Sequence, residues 1–430
     1  MKVLWVSLVE FPPLCKKLGK PVPAHCGWLY SSAKALLNNM PDVELGVIVY
    51  SYGREFEEHH VDGITYYMVP TKNINKTDKR QIAACREAIQ RFSPSLIHIH
   101  GTEHSLAQAV CMANTDKIRT VANIQGLASG IAPFADGYLS LWDKLTNIIP
   151  LDFYRGTFLL NVKRSFKKRT ACENYVISSI TDIIGRTQWD HDHVITINPA
   201  IHYHFMNETL RDSFYETPVW NYDKCKKHSL FVSNSGSALK GAHQVLKALP
   251  IILSKYPDTV VNFCGSSVMS NDWKTLLRFQ GYHLYLRRLV KRLGLQEYVN
   301  FLGALNERQM KQAFLDANVY VMPSAIENSP NSLCEAQILG VPVVASYCGG
   351  TPTLVEDGKT GYLYRYEEVE MLAQQIMRLF DCNDFYELSK EEMNIANNRH
   401  NPQVNAERLV EIYKQISEYY VGKNKTVSNV

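Results

Sequence analysis

Apolar residues along this chain arrive in short runs, each closed by Pro, Gly or a polar cluster, with amphipathic stretches of helical length between them. Such runs read as strands buried on both faces, and their alternation with helices reads as parallel sheet covered on both sides. In the first half, strands are expected at 2–8, 46–50, 64–69, 96–100, 120–124 and 182–187, with helices at 27–39 and 79–92. In the second half, strands are expected at 230–234, 259–264, 299–302, 319–322 and 341–345, with helices at 241–256, 276–293, 307–317 and 332–339. The stretch 207–227 is polar and aromatic and contains Pro218, which suits a passage between domains. The expected organisation is an N-terminal domain at 1–205, a linker at 206–228, a C-terminal domain at 229–400 and a terminal amphipathic helix at 401–430.

The most informative stretch is 319–350, VYVMPSAIENSPNSLCEAQILGVPVVASYCGG. It reads as strand, loop, helix and strand, hence a parallel pair with a right-handed crossover. In open α/β sheets ligands sit beyond the carboxyl ends of the strands, where the loop 324–331 falls. Glu327 and Glu335 bracket that loop, and free N–H groups of Asn331, Ser332 and Leu333 at a helix start would favour an anion. An anion cradle with a carboxylate at either end suits a sugar nucleotide, whose hydroxyls donate to carboxylates. A structural alternative stands beside this reading: Ser332 and Glu335 also have the spacing of a capping box.

Other candidates are scattered. The loop Ser235-Gly-Ser-Ala-Leu-Lys240-Gly241 follows a strand but lacks the ending of a P-loop, so it is not a nucleoside triphosphatase signature. Lys240 ahead of a helix is placed to meet phosphate. His100-Gly-Thr-Glu103-His104 ends one strand and Gln125-Gly126 another. Residues 127–160 are loop-rich and aromatic, long enough to be a functional insert, and a basic turn with Lys163, Arg164, Lys167, Lys168 and Arg169 follows. That turn reads as a solvated helix face or as a contact with an anionic membrane surface. Asp190-His-Asp-His193, with His202 and His204 nearby, has the look of a metal cluster, but a polar turn of solvated side chains is the preferred reading and no metal is expected.

Bulk properties narrow the class. The 430 residues suffice for two domains, and a net charge of +4 gives no argument for nucleic acid. Ten cysteines without a C-x-x-C pair fit a reducing cytosol rather than zinc or a disulfide framework. No apolar run has the length of a membrane span, and the opening MKVLWVSLVEFPP reads as a first strand rather than a signal peptide.

Glu327 and Glu335 separated by seven residues, then Ala336, Gly340-Val-Pro342 and Gly349-Gly350, resemble the E-x7-E signature of the family 4 retaining glycosyltransferases. The likeness runs toward those that build bacterial surface polysaccharides such as capsule, O-antigen or exopolysaccharide. It implies an α/β GT-B fold: two doubly wound Rossmann-like domains facing across a cleft, with the C-terminal helix crossing back to the first. It implies a hexose-type sugar moved from a nucleotide-sugar donor, a UDP-sugar first and a GDP-sugar second, to a glycan or polyprenyl-linked glycan acceptor, with no cofactor. On this likeness Glu327 and Lys240 are catalytic. Gly27, Asn234, Lys240, Ala304, Leu305, Asn331, Ser332, Leu333 and Glu335 line the donor site, and His100, Glu103, His104 and Gln125 the acceptor or sugar side. Three positions depart from the pattern: Cys26-Gly27 replaces a Gly-Gly pair, Asn234 an arginine and Gln125 a histidine. These departures keep open a non-catalytic sugar-nucleotide-binding subunit. An epimerase or glycoside phosphorylase on the same fold is a further alternative. The expected place of work is the cytoplasm, including the inner face of the plasma membrane.

Overall fold

The computed structural model describes residues 1–22, 27–53, 55–155, 158–382 and 385–427, without the side chains of Arg155 and 418–427. The chain forms two compact units: Met1–Ser129 with Lys168–Arg211 and His400–Val430, and Gly130–Lys167 with Asp212–Arg399. Residues 130–167, expected inside the N-terminal domain, therefore fold with the second unit, while the terminal helix Pro402–Val427 belongs to the first.

The first unit is built on eight strands: β1 Lys2–Ser7, β2 Glu44–Ser51, β3 Glu57–Val61, β4 Ile64–Pro70, β5 Leu96–His100, β6 Arg119–Asn123, β7 Asp182–Gly185 and β8 His202–Phe205. Their order is β3-β4-β2-β1-β5-β6-β7-β8, and every neighbouring pair is parallel except β3 with β4. Central strands such as β1 and β5 are buried on both faces, which is why they read as unbroken apolar runs. β3 and β8 carry EEHHV and HYHF and were not expected. Both lie at sheet edges, where charged and polar side chains blunt further pairing and erase the apolar signal. The terminal helix packs Leu409, Ile412, Tyr413 and Ile416 into the core beside Trp5. The Tyr413 hydroxyl accepts from Trp5 Nε1 at 3.0 Å and donates to His98 Nδ1 at 2.6 Å, tying the two chain ends together inside this unit.

The second unit has six parallel strands, β9 Ser229–Val232, β10 Val260–Cys264, β11 Val299–Gly303, β12 Val319–Met322, β13 Val343–Ser346 and β14 Tyr362–Tyr364, in the order β11-β10-β9-β12-β13-β14. The insert joins its core through Leu139 and Leu159. The helix expected at 276–293 is divided into Trp273–Leu276 and Gly281–Arg292. A Cβ on Gly281 would lie 2.1 Å from the Asn147 carbonyl oxygen, so the backbone of the insert sits directly on the start of the second helix. The four residues Asp190–His193 lie on helix Gln188–Ile197, not in a turn; Asp190 completes a capping box with Thr187 and accepts the Arg186 amide at 3.0 Å.

His98 and His100 are buried side by side in the first unit, ring centroids 4.0 Å apart. Burial lowers the His98 pKa to about 3, and burial followed by the His98 and Arg186 charges lowers that of His100 well below its ordinary 6.5. A base held neutral in the fold contributes stability above its unfolded pKa and loses it as pH falls below that value. The melting temperature is therefore expected to drop steadily as the pH is lowered from 6.5. His100→Leu should flatten that dependence, read by thermal denaturation across a pH series; an unchanged slope would mean that other groups govern acid unfolding.

Candidate functional site

In the second unit, two loops meet at the carboxyl ends of β9 and β12. The turn Ala238–Lys240 ends at Gly241, whose φ of +69° is the left-handed conformation that favours glycine. A Cβ there would lie 1.6 Å from the Pro323 carbonyl oxygen, and the Ala325 amide donates to the Leu239 carbonyl at 2.8 Å. This backbone contact carries Lys240 to Glu327, with which it forms an ion pair. Glu327 Oε1 also accepts the Ser324 hydroxyl at 2.8 Å, so its carboxylate is oriented from two sides. From behind, the Gly350 amide donates to the Glu327 carbonyl at 3.0 Å, and a Cβ on Gly349 would come within 2.0 Å of that same oxygen. The sequence pair Gly349-Gly350 is thus a backing plate for Glu327.

The helix after this loop begins at Asn331, with Pro330 as its N-cap and no side-chain cap. Ser332 consequently lies inside the first turn, which removes the capping-box alternative for Ser332 and Glu335. The Leu333 amide, expected to be free for an anion, donates to the Pro330 carbonyl at 2.9 Å; the amides of Asn331 and Ser332 precede the first bond within the helix. Glu335 is buried on the same helix. Tyr320 runs beneath the loop: its hydroxyl lies 2.9 Å from Ser233 Oγ and donates to Ser332 Oγ at 2.9 Å. Burial raises the Tyr320 pKa, and the Glu327 and Glu335 charges add to the rise, so the phenol stays a donor. Sequence reasoning passed over Tyr320, although a hydroxyl ring in the run VYVM was a visible polar exception.

The other donor-side candidates are more loosely placed. Asn234 is exposed, and its side-chain oxygen accepts the Gly236 amide at 2.8 Å, a local turn rather than an arginine-like cation. Ala304 and Leu305 follow β11, the first exposed and the second half-buried. Gly27 opens helix Gly27–Asn39 in the first unit; Cys26 lies outside the described residues.

The insert supports Lys240 from within the second unit. A Cβ on Gly137 would lie 2.2 Å from the Ala238 carbonyl oxygen. The Gly137 carbonyl accepts from Tyr366 Oη at 2.9 Å and from His243 Nε2 at 3.1 Å, while His243 Nδ1 meets Tyr282 Oη at 3.0 Å. Burial lowers the His243 pKa to about 3, which fits a neutral ring donating on one side and accepting on the other.

The four acceptor-side candidates gather in the first unit. His100, His104 and Gln125 line a cavity of about 630 Å³ whose walls also include Trp28, Tyr50 and Tyr52. His100 is packed against Trp5, and neither ring nitrogen has a hydrogen-bond partner among the described residues. Glu103 Oε1 lies 3.3 Å from His104 Nε2, and Gln125 Nε2 donates to Glu208 Oε1 at 3.5 Å. Beside them the buried Glu173 accepts the amides of Ala128 and Ser129, and burial raises its pKa to about 7.

Comparison with known proteins gives this geometry a context. Residues 218–417 match the family model for glycosyl transferases group 1. Over 143 residues the chain is 34% identical to the D-inositol 3-phosphate glycosyltransferase of Streptomyces avermitilis, covering 33% of this chain and 30% of that protein. The chain thus spans about a third of the length of such relatives. Among solved structures, sucrose-phosphate synthase of Thermosynechococcus elongatus superposes with a TM-score of 0.70 at 14% identity, over 97% of this chain and 100% of that one. Anabaena Alr3699/HepE, solved with UDP-glucose, gives 0.67 at 16% identity over 96% and 100%. At these identities the likeness carries the fold alone, two Rossmann-like parallel-sheet units of the GT-B kind. The stretch 218–417, which holds Lys240, Glu327 and Glu335, is therefore similar to the glycosyl transferases group 1, in a chain of GT-B fold.

Proposed function

We propose that the chain is a retaining glycosyltransferase that moves a hexose-type sugar from a UDP-sugar to a hydroxyl of a glycan or polyprenyl-linked glycan in surface-polysaccharide synthesis. The observation that carries this reading is the convergence of Lys240, Glu327 and the start of helix Asn331–Leu339 at one strand end. In the reaction the bond from the anomeric carbon to the diphosphate breaks. A bond to the acceptor oxygen forms on the same face, and the acceptor proton leaves toward the diphosphate. Negative charge develops on the departing phosphate, where Lys240 and the amides of Asn331 and Ser332 oppose it. Glu327 takes sugar hydroxyls and Glu335 the ribose hydroxyls. These groups supply the charge that a metal would, so the proposal includes no cofactor. The UDP-glucose bound to HepE supports the choice of donor. The nine described cysteines are all free, which fits a cytoplasmic place of work.

Asn234 and Gln125, standing where the resembled family has arginine and histidine, favour one rival: a subunit that binds a sugar nucleotide without turning it over. Hydrolysis of UDP-glucose without acceptor separates the two, because a binder releases no UDP.

Lys240→Ala is expected to lower turnover by roughly a hundredfold or more, the scale of losing one preorganised charge-stabilising contact. EDTA should leave the wild-type rate unchanged, and a strict requirement for Mg²⁺ or Mn²⁺ would overturn the metal-free mechanism.

Glu335→Gln is expected to weaken UDP-sugar binding, measured by calorimetry, since the amide replaces half of a charged acceptor with a donor. Unchanged affinity together with a lower melting temperature would remove Glu335 from the site.

A further inference from the structure

The second unit has an exposed apolar and basic face that the transferase reading leaves unused. The insert helices Leu141–Thr146 and Pro150–Arg155 are anchored through backbone: Asn147 against Gly281, and the Thr146 carbonyl accepting from Arg288 Nη1 at 2.6 Å. With the backbone turned inward, large side chains point to solvent. Trp142 is 74% exposed, Phe153 71%, Tyr154 91% and Trp273 64%. Leu141, Leu145 and Leu277 are exposed with them, a larger apolar display than scattered single residues make.

Charge on the same segments is mostly positive. Residues 136–167 and 272–292 contain eleven Lys and Arg against four Asp, a net +7 where the whole chain carries +4, with Lys144 and Lys163 paired to Asp136. Asp152 is buried and accepts the Ile149 amide at 3.0 Å, and Asp143 accepts the Ser140 hydroxyl at 2.6 Å. Lys274, Arg278, Lys291 and Arg292 are all exposed. The basic turn at 163–169, expected to serve this purpose, is divided between the units. Within it Lys163 pairs with Asp136 at 3.1 Å and Arg169 Nε donates to Asn75 Oδ1 at 3.1 Å.

A second copy on this face would set positive charge against positive charge. Nucleic acid would find stacking rings interrupted by leucines that offer no π-face. Aromatic rings at headgroup depth, aliphatic side chains below them and cations against phosphates suit a membrane surface. Among the described residues no helix is long and apolar enough to cross a membrane, so attachment would be from the side. We infer that this face of the second unit binds the anionic surface of a lipid bilayer through Trp142, Phe153, Tyr154 and Trp273 and the exposed Lys and Arg around them. The inference goes beyond the transferase reading and stands apart from it, since it needs neither donor nor acceptor.

Flotation of the full chain with vesicles tests it. Binding is expected to equimolar phosphatidylcholine and phosphatidylglycerol, not to phosphatidylcholine alone, with release in high salt. Joint replacement Lys274→Gln, Arg278→Gln, Lys291→Gln and Arg292→Gln should lower the partition coefficient by on the order of a thousandfold. Trp142→Ser with Phe153→Ser and Trp273→Ser should also abolish flotation while leaving the melting temperature and the far-ultraviolet circular dichroism, the controls for folding, unchanged. Wild type that floats with neither vesicle, or variants that float as well as wild type, would overturn the inference. A dimer dispersed by the aromatic variant would reassign the face to self-association, and RNA binding without flotation would reassign it to nucleic acid.

Discussion

Two carbonyl oxygens leave no room for side chains, and the candidate site in the second unit is arranged around them. Pro323 O sits against Gly241 and Glu327 O against Gly349, each at a distance that a Cβ could not share. The first contact lets the turn after β9 reach the loop after β12; the second holds that loop from the β13 side. Replace either glycine and the loops must separate, since the atoms in the way belong to backbone and cannot rotate aside. The pairing of Lys240 with Glu327 follows from those two approaches rather than causing them. The two side chains are mostly withdrawn from water, so the cost of desolvating both charges offsets much of their attraction, and the pair by itself is weak evidence for what holds the loops together.

The same principle extends outward. Gly137 against the Ala238 carbonyl and Gly281 against the Asn147 carbonyl fasten the insert to the second unit by backbone packing. His243 then bridges Tyr282 and the Gly137 carbonyl as a neutral ring. Residues 130–140 therefore stiffen the turn that carries Lys240, although they are distant from it in sequence.

This explains how much of the molecule could be read from the chain. Periodicity located the central strands and most helices because burial on both faces leaves an unbroken apolar record, as in β12 and β13. It missed β3 and β8 because edge strands carry polar residues for reasons of solubility. Motif spacing and resemblance singled out Lys240, Glu327 and Glu335, and the structure brings the first two together at one strand end. Their supports were not: a glycine in sequence does not say which carbonyl it approaches. Domain membership of 130–167 failed for a related reason, since aromatic composition shows that a segment needs a partner but not which unit supplies it. The Leu333 amide was misjudged because the helix begins one residue earlier than its formers suggested, at Asn331 after Pro330.

The state of Lys240 bears on how an anion would enter. In the structure its ammonium faces the Glu327 carboxylate, so neither charge is left without a counter-charge in a half-buried loop. Glu327 Oε1 keeps a second donor in Ser324, and Gly350 fixes its backbone. Under the proposed reading, an arriving diphosphate offers Lys240 a stronger partner with two charged groups and the helix amides behind it. Lys240 is on a flexible stem and can turn toward it, whereas Glu327 cannot follow, being held at both its side chain and its main chain. The exchange leaves a carboxylate that has lost its cation but kept its position, and a sugar hydroxyl is the donor that fits the vacancy. Under that reading, a fixed carboxylate and a movable ammonium at one strand end would couple arrival of the phosphate to the freeing of the group that would orient the sugar.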